Sequence, residues 1–391
     1  MRRVAADATV PHAVHGDGDR AAPVIFISVG EPSGDLHGAV LARALKKRFP
    51  KGRLIGLGGP RMAAEGVELL ADIGDLAVMG FVEILGRLPF FLRLRRTVFA
   101  ALAREGVDLV IPVDYPGFNL RLARHSRHAG IPVLYYIAPQ VWAWHASRAA
   151  DLARDADRVA VILPFEEQFL RKAGAAAEFV GHPLLDLPEA PSDRSAWLRN
   201  AKLTPDAPVL AIFPGSRRQE IQRHLPVFQH AAELLESRIP GLQVRIAAAP
   251  GQNDEIYGGR FAITRDTRAL LEHATAALVK SGTTTLEAAL AETPFVVAYR
   301  MNPLSYRVAE RLVKVPHIAL ANLVAERRIV PELVQEAATP EALRDALLPL
   351  LDVGGAARQE MVSALKGVRD ALGRGGAAER VAEIAAELLE G

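Results

Sequence analysis

The stretch from Val279 to Glu287 reads VKSGTTTLE and joins an apolar strand to a helix through a turn rich in hydroxyl groups. The small side chains and free backbone N–H groups of such a turn can hold a phosphate group, because the dipole of the following helix favours an anion. Glu287 follows about one helical turn later, within reach of a sugar hydroxyl beside that phosphate. The stretch therefore indicates a nucleotide-sugar site in an α/β fold, although ordinary strand-to-helix connections have a similar composition.

A second turn of this kind follows an apolar strand predicted at Val209–Phe213. The turn, Pro214 to Arg218, reads PGSRR and brings together a glycine, a hydroxyl group and two guanidinium groups. An arginine fork can bind two phosphate oxygens at once, so Arg217 is a candidate ligand of a diphosphate. We interpret Arg218 as a solvated side chain. Together the two turns favour a nucleotide-sugar site over a purely structural connection.

Apolar, β-branched runs alternate with helix-like segments along most of the chain, a pattern typical of buried parallel strands. Leu187 to Asp193 interrupts the pattern with a polar, proline-rich segment that we interpret as a linker. The sequence predicts an α/β fold with two Rossmann-like doubly wound domains that face each other across a cleft. The predicted strands are Val24–Val29, Arg53–Leu57, Asp108–Val113, Pro132–Ile137, Arg158–Leu163, Val209–Phe213, Gln243–Ala248, Phe261–Thr264, Ala276–Val279 and Phe295–Tyr299.

The length of the chain supports this division. At 391 residues the chain exceeds the usual size of one hydrophobic core, so two domains are expected. We place a disordered extension at residues 1–22, an N-terminal domain at 23–188 and a C-terminal domain at 189–365. A C-terminal helix at about 366–391 is expected to pack back on the first domain. Residues 1–22 contain no apolar segment of the signal-peptide type.

The composition argues against several classes of function. The 47 basic and 45 acidic residues leave a formal net charge of +2, which gives no footprint for nucleic-acid binding. The chain has no cysteine, which excludes disulfides and thiolate metal sites and fits a cytoplasmic protein. No uninterrupted apolar run reaches the roughly 18 residues of a membrane-spanning helix.

Ionisable side chains cluster at the predicted strand ends of the first domain. The first strand turns into a helix through Gly30 to Gly38, GEPSGDLHG, which carries two carboxylates and an imidazole. Asp114 ends another strand at the same edge, where it could act as a general base on a hydroxyl group or cap the following turn. Asp35 is expected to accept hydrogen bonds from backbone N–H groups at a helix start. His37 and His182 are more often structural, and no His, Asp or Glu spacing resembles a metal site.

Short motifs along the chain resemble those of the lipid-A-disaccharide synthase family. They run in one order from about Val24 to Gln335, so the resemblance covers most of the chain but not the N-terminal extension. Ala138 and Ala321 stand where we expect Ser and Pro. The motifs are GEPSGD at 30–35, GGPRM at 58–62, MGFVE at 79–83, DYPGFN at 114–119, PQVWAW at 139–144, GHPL at 181–184, PGSR at 214–217, SGT at 281–283, and YRM at 299–301 running on to NLV at 322–324.

The resemblance implies a glycosyltransferase of the GT-B architecture. Such an enzyme would transfer 2,3-diacylglucosamine from its UDP derivative to the 6-hydroxyl of 2,3-diacylglucosamine 1-phosphate, releasing UDP and forming the β-1,6 disaccharide of lipid A. Inversion from an α-linked donor to a β-linked product implies direct displacement, with a base on the acceptor hydroxyl and cationic or dipolar groups on the diphosphate. The resemblance requires neither a metal ion nor a cofactor.

The resemblance also implies roles for individual residues. Asp114 would be the base, and Glu31 or His37 could share that role. Arg217 and the 281–283 turn would take the diphosphate, and Glu287 would take the ribose. The complete set expected at the UDP-sugar donor is Ser216, Arg217, Ser281, Gly282, Thr283, Glu287, Arg300 and Asn322. The set expected at the acceptor and its acyl chains is Glu31, Ser33, His37, Met79, Phe81, Trp142 and Trp144.

Acylated substrates raise the question of where the protein meets a bilayer. Val78 to Arg96 reads VMGFVEILGRLPFFLRLRR, a strongly apolar segment that ends in arginines. Such a segment suits insertion at the headgroup boundary of an anionic membrane, so we expect a cytoplasmic protein bound peripherally to the inner membrane. The alternative is a core helix with a solvated, arginine-rich end.

Two other functions remain open from the sequence. A UDP-N-acetylglucosamine 2-epimerase would share the architecture and the donor site, but it would need no lipid acceptor. A non-catalytic protein that binds a nucleotide sugar or a lipid would keep the pocket and could dispense with Asp114.

Overall fold

A computed structural model describes residues 22–73, 88–144, 148–187, 193–303, 306–307, 310 and 315–391. Several sequence predictions fall outside this part of the chain. They concern the N-terminal extension up to residue 21, residues 188–192 of the linker, and residues 78–87 of the apolar segment, including Met79 and Phe81. The side chains of Phe91 and Trp144 are also outside it.

The described residues of the first domain form seven parallel strands. Four of them pair in the order β3-β2-β1-β4, and three in the order β5-β6-β7. Parallel bridges from Val110 to Val133 and from Val113 to Tyr136 join β4 to β5, so the seven strands form one continuous layer. The strands are β1 Val24–Ser28, β2 Arg53–Gly58, β3 Glu68–Asp72, β4 Leu109–Pro112, β5 Leu134–Tyr136, β6 Arg158–Val161 and β7 Ala177–Phe179.

The helices of the first domain connect these strands. Proline occupies the first turn of α1, α2, α4 and α7, where its fixed φ suits a helix start and its missing N–H leaves no orphan donor. The helices are α1 Pro32–Arg48, α2 Pro60–Ala64, α3 Leu88–Arg104, α4 Pro116–His128, α5 Val141–Trp144, α6 Arg148–Asp155 and α7 Pro164–Lys172, followed by a 3₁₀ turn at Pro183–Asp186.

The second domain has a six-stranded parallel sheet with the order β10-β9-β8-β11-β12-β13. The strands are β8 Val209–Phe213, β9 Gln243–Ala247, β10 Ala262–Thr264, β11 Ala276–Lys280, β12 Phe295–Tyr299 and β13 Glu332–Val334. The helices are α8 Arg194–Asn200, α9 Arg218–Glu236, α10 Thr267–His273, α11 Thr284–Leu290, α12 Leu320–Val324, α13 Pro340–Leu351 and α14 Ala356–Ala371, with 3₁₀ turns at Asp254–Tyr257 and Gln335–Ala337. Because β8 is the first strand in sequence and β11 the fourth, the strand order reverses between them, and this switch point is where doubly wound folds bind ligands.

The chain returns to the first domain near its C-terminal end. Helix α15, Ala377–Glu390, packs against α1 and contributes to the first hydrophobic core. The return starts later than the predicted residue 366, because Met361, Leu365 and Leu372 still belong to the second core. Asp186 accepts hydrogen bonds from the backbone N–H groups of residues 376–378 and so caps α15 at the crossing.

Candidate active site

The loops that follow the carboxyl ends of β1 and β8 approach each other. Glu31, at the start of α1 in the first domain, lies 3.9 Å from the guanidinium group of Arg217 in the second domain, measured from Oε1 to Nη2. Both side chains are largely exposed. This long ion pair connects the first domain, which carries the predicted base Asp114, to the second domain, which carries Arg217, the predicted diphosphate ligand.

Asp114 lies directly after β4, in the turn that leads into α4. Asp114 and Tyr115 both have left-handed backbone angles, with φ of +47° and +49°, which cost non-glycine residues roughly 1–2 kcal/mol each. The Tyr115 ring covers Gly30 so closely that a Cβ atom there would lie 2.2 Å from the ring, so only glycine fits. The strained turn fixes Asp114 at the end of the strand and against the first turn of the domain.

A buried amide holds this turn in place. The Asn119 side chain donates to the backbone oxygens of Ser28, Val113 and Asp114 at 3.1, 3.1 and 2.8 Å. It also accepts a hydrogen bond from the Ser28 hydroxyl at 2.6 Å. The Tyr135 hydroxyl donates to the backbone oxygen of Asp114 at 2.8 Å. These bonds tie the ends of β1, β4 and β5 together and stabilise the unusual backbone of Asp114.

The carboxyl group of Asp114 is more basic than that of an ordinary aspartate. Asp114 is exposed after the end of β4, yet the surrounding protein removes enough solvent to destabilise the charge of its carboxylate. Desolvation, followed by the negative charge of Glu31, raises the pKa of Asp114 to about 6, against the effect of a hydrogen bond from the Tyr115 backbone. The carboxylate therefore dominates at pH 7 and has a basicity matched to that pH.

The other ionisable groups of the Gly30–Gly38 turn have different roles. Asp35 is buried and accepts hydrogen bonds from Gly59, Arg61 and Met62 at 2.8, 3.1 and 3.1 Å. Asp35 thus accepts hydrogen bonds from backbone N–H groups, as expected. These groups belong to the start of the neighbouring helix α2. Ser33 is exposed near the start of α1.

The two histidines near this turn are poor bases. Burial lowers the pKa of His37 to about 4, although the charge of Asp186 opposes the shift. Burial and then the charge of His37 lower the pKa of His182 to about 3. The Nδ1 atom of His182 accepts a hydrogen bond from Leu184 at 3.2 Å. Both imidazoles are neutral at pH 7, and the low basicity of His37 weakens its case as a partner of Asp114 in the base role.

On the second domain, the turn after β8 is organised by a carboxylate. Gly215 has φ of +120°, and a Cβ atom there would lie 2.7 Å from Glu220, so the turn requires glycine. One carboxylate oxygen of Glu220 accepts hydrogen bonds from the backbone N–H groups of Ser216 and Arg217 at 3.2 and 3.3 Å. The side chain of Arg217 is 64% exposed, and its guanidinium group lies 3.9 Å from Glu31 and 4.0 Å from Glu220.

The turn after β11 lies next to the turn after β8, across the switch point. The Ser281 hydroxyl donates to the backbone oxygen of Ile318 at 2.8 Å, and the Thr285 hydroxyl donates to Gly282 at 2.8 Å. Thr283 is exposed at the start of α11. Burial raises the pKa of Glu287, opposed by a hydrogen bond from Thr284. Residues 281–283, predicted to bind the diphosphate, therefore lie in this turn, and Glu287, predicted to bind the ribose, lies in the first turn of the following helix.

Asn322 lies in α12, and Arg300 directly follows β12. The buried Asn322 side chain donates to Val330 and Glu332 at 3.0 and 2.8 Å and accepts from Ile329 and Val330 at 2.8 and 2.9 Å. Its polar atoms are thus committed to the protein, which makes it a support of the site. The backbone N–H group of Arg300 donates to His224 at 2.9 Å.

The predicted acceptor region is only partly described. The indole N–H group of Trp142 donates to the carboxylate of Glu166 at 2.9 Å. Glu166 is buried and also accepts hydrogen bonds from Ile162 and Leu163 at 3.3 and 3.1 Å. Burial raises the pKa of Glu166 to about 7, against the effect of these hydrogen bonds. Trp142 is therefore anchored through its polar edge, with its ring against Phe165.

Three residues that shape the site, Asn119, Glu166 and Glu220, are not predicted from the sequence. The last two share one signal, because each is a glutamate three residues after the residue that precedes a helix, the pattern of a capping box. Asn119 lies inside the motif at 114–119 but has no local signal of its own, since its partners come from β1 and β4.

Comparisons with known proteins agree in family and in fold. Residues 25–385 match the family described as lipid-A-disaccharide synthetase. The chain is 42% identical to a lipid-A-disaccharide synthase of Myxococcus xanthus over 375 residues, which cover 94% of this chain and 98% of the relative. It is also 42% identical to the enzyme of that name from Neisseria gonorrhoeae over 340 residues, covering 84% and 87% of the two chains.

Solved structures extend the comparison to the architecture. The calicheamicin glycosyltransferase CalG4 is similar with a TM-score of 0.60 at 19% identity, covering 95% of this chain and 99% of that one. The UDP-GlcNAc 2-epimerase from Neisseria meningitidis bound to UDP-GlcNAc is similar with a TM-score of 0.61 at 11% identity, covering 93% and 99%. At these identities the likeness shows the GT-B fold alone.

Proposed function

The chain belongs to the lipid-A-disaccharide synthase family, and we propose that Asp114 is the general base of its reaction. It is a glycosyltransferase of lipid A biosynthesis that transfers 2,3-diacylglucosamine from the UDP derivative to 2,3-diacylglucosamine 1-phosphate. The observation that carries the proposal is the position of Asp114: its backbone is fixed by Asn119, and its pKa is raised to about 6 at the cleft.

The chemistry follows from this placement. The Asp114 carboxylate takes the proton of the acceptor 6-hydroxyl as its oxygen attacks C1 of the donor sugar. The bond between C1 and the diphosphate oxygen breaks on the opposite face, so the product is β-linked and UDP leaves with the bonding electron pair. Negative charge grows on the departing diphosphate, and a positioned guanidinium group such as that of Arg217 stabilises it.

The remaining donor contacts are part of the same proposal. Ser216 and Arg217 would meet the diphosphate from the turn after β8, and residues 281–283 from the turn after β11. Glu287 would accept a hydrogen bond from the ribose, while Arg300 and Asn322 support the two turns. The support for this arrangement is the reversal of strand order between β8 and β11, which leaves a crevice between the two turns.

We further propose that the enzyme meets the membrane peripherally near the start of α3. Among the described residues, no helix is long and apolar enough to cross a bilayer. Leu94, Val98 and Leu102 form the buried face of α3, which agrees with the core alternative for that part of the helix. Leu92, by contrast, is 40% exposed and stands beside exposed Arg93, a combination suited to the headgroup boundary.

The experiment that tests the base is Asp114→Asn. The amide keeps the shape of the carboxyl group but is not basic, so turnover should fall roughly 10²-fold or more while UDP affinity is preserved. Initial rates with the acylated donor and acceptor, together with calorimetry of UDP binding, measure both quantities. Near-normal turnover in a correctly folded variant would remove Asp114 from the base role.

A further inference from the structure

A second cation lies in the crevice of the second sheet. Lys280 is the last residue of β11, and the side chain is only 17% exposed. Its ammonium nitrogen lies 3.7 Å from the position that a Cβ atom of Gly282 would occupy, so it stands directly beside the turn after β11. A partly buried cation at a switch point is placed where a bound anion would lie.

The partner of Lys280 connects it to the opposite turn. The Lys280 Nζ atom lies 3.0 Å from Glu220 Oε1, and Glu220 Oε2 accepts from the backbone N–H groups of Ser216 and Arg217. Burial raises the pKa of Glu220, but the charge and hydrogen bond of Lys280 and the two backbone bonds outweigh it, so the pKa lies below its usual range. The carboxylate is therefore ionised at neutral pH.

This arrangement resembles a phosphate-binding site in which the carboxylate of Glu220 occupies the place of the phosphate. Two backbone N–H groups and an ammonium group converge on one carboxylate, and such donor sets also bind phosphate oxygens. Arg217 adds a guanidinium group only loosely paired, 3.9 Å from Glu31 and 4.0 Å from Glu220. Lys280 and Arg217 thus flank the same turn, with one ionised carboxylate between them.

We propose that Lys280 binds the diphosphate of the nucleotide sugar together with Arg217 and stabilises the departing UDP, while Glu220 holds Lys280 in position. This inference rests on the donor site proposed above. No covalent step involves Lys280: the ammonium group donates hydrogen bonds to the diphosphate oxygens, and its interaction strengthens as the bond from C1 to the diphosphate breaks.

The test compares UDP with uridine, which lacks the diphosphate. Lys280→Met keeps the length of the side chain and removes the charge, so UDP affinity measured by calorimetry should fall about 10-fold or more. Uridine affinity should not change, and Lys280→Arg should retain most of the UDP affinity. Turnover at saturating donor should fall in Lys280→Met, because the leaving group loses a cation.

Arg245→Met is the matched control, since Arg245 is also a partly buried cation of this domain but donates to Ala201.

Two outcomes would overturn the inference. Unchanged UDP affinity in folded Lys280→Met would show that the ammonium group does not meet the diphosphate. Equal losses of UDP and uridine affinity would show that Lys280 only maintains the fold of the crevice. Arg217→Ala separates the two proposals: if it weakens UDP binding and Lys280→Met does not, the donor site stands and the role of Lys280 fails. If neither variant weakens UDP binding, the donor site itself fails.

Discussion

The pH dependence of transfer should report the environment of Asp114 directly. A general base acts in its deprotonated form, so activity falls as the pH drops through the pKa of the carboxyl group. With a pKa of about 6, the ionised fraction is roughly 90% at pH 7 and roughly 10% at pH 5, so kcat/KM should drop about tenfold between these values. A carboxyl group with an ordinary pKa would lose almost nothing over the same interval.

The structure also identifies one removable cause of this shift. Glu31 contributes negative charge that disfavours ionisation of Asp114, after the larger effect of desolvation. Glu31→Gln should therefore move the acidic limb of the profile to lower pH and raise the relative rate at pH 5. The pH at which activity falls should remain higher than for an unperturbed aspartate, because desolvation still raises the pKa of Asp114.

Initial rates from pH 4.5 to 8 with detergent-dispersed substrates measure both profiles. Because Glu31 also contacts Arg217, donor should be saturating and the rate should be measured against acceptor concentration. Glu236→Gln is the matched control, since Glu236 pairs with Arg260 on the surface of the second domain. A wild-type profile that stays flat down to pH 5, or a limb that Glu31→Gln leaves in place, would refute the reasoning.

Two further predictions concern the donor and the membrane. Arg217→Ala should weaken UDP affinity and slow transfer together, and Arg217→Lys should restore little because a point charge cannot reproduce the fork; calorimetry showing unchanged UDP affinity would remove Arg217 from the site. Leu92→Ser combined with Arg96→Glu should lower binding to anionic vesicles in a sedimentation assay and spare activity on detergent-dispersed substrate. Val353→Ser, which alters a 68% exposed side chain of the second domain, should leave vesicle binding intact, and equal binding by all variants would contradict docking through α3.

The strands that could be predicted from the sequence are mainly those that are apolar on both faces. The ten predicted strands are present; nine of them are central parallel strands, which helices cover on both sides and which read as continuous apolar runs, and the tenth, β10, is an edge strand. The strands β3, β7 and β13 were missed. Each lies at an edge of its sheet and is short and only partly buried, so its sequence, such as ELLAD or ELV, shows no such run.

The residues of the candidate site could be predicted where an ionisable side chain comes shortly after the end of a predicted strand. Asp114 directly follows the apolar run of β4, and Arg217 follows the apolar run of β8 after a three-residue turn, so parallel topology assigns each residue to the carboxyl edge of its own sheet. Glu220 and Asn119 act through partners that lie far away in the sequence, 60 residues for Lys280 and 91 for Ser28. No periodicity connects residues so far apart, and their pairing becomes visible only when the sheets are assembled.

The position of α15 has a consequence for the order in which the protein matures on the ribosome. Asp186 and Ala377, which meet at the cap of this helix, are 191 residues apart. At about 5–20 residues per second, translation separates them by roughly 10–40 s. During that interval the second domain is synthesised as a contiguous segment and can fold, whereas the nascent first domain keeps the apolar face of α1 uncovered. The domain whose synthesis begins first is thus completed last, and in the meantime part of its apolar surface stays exposed.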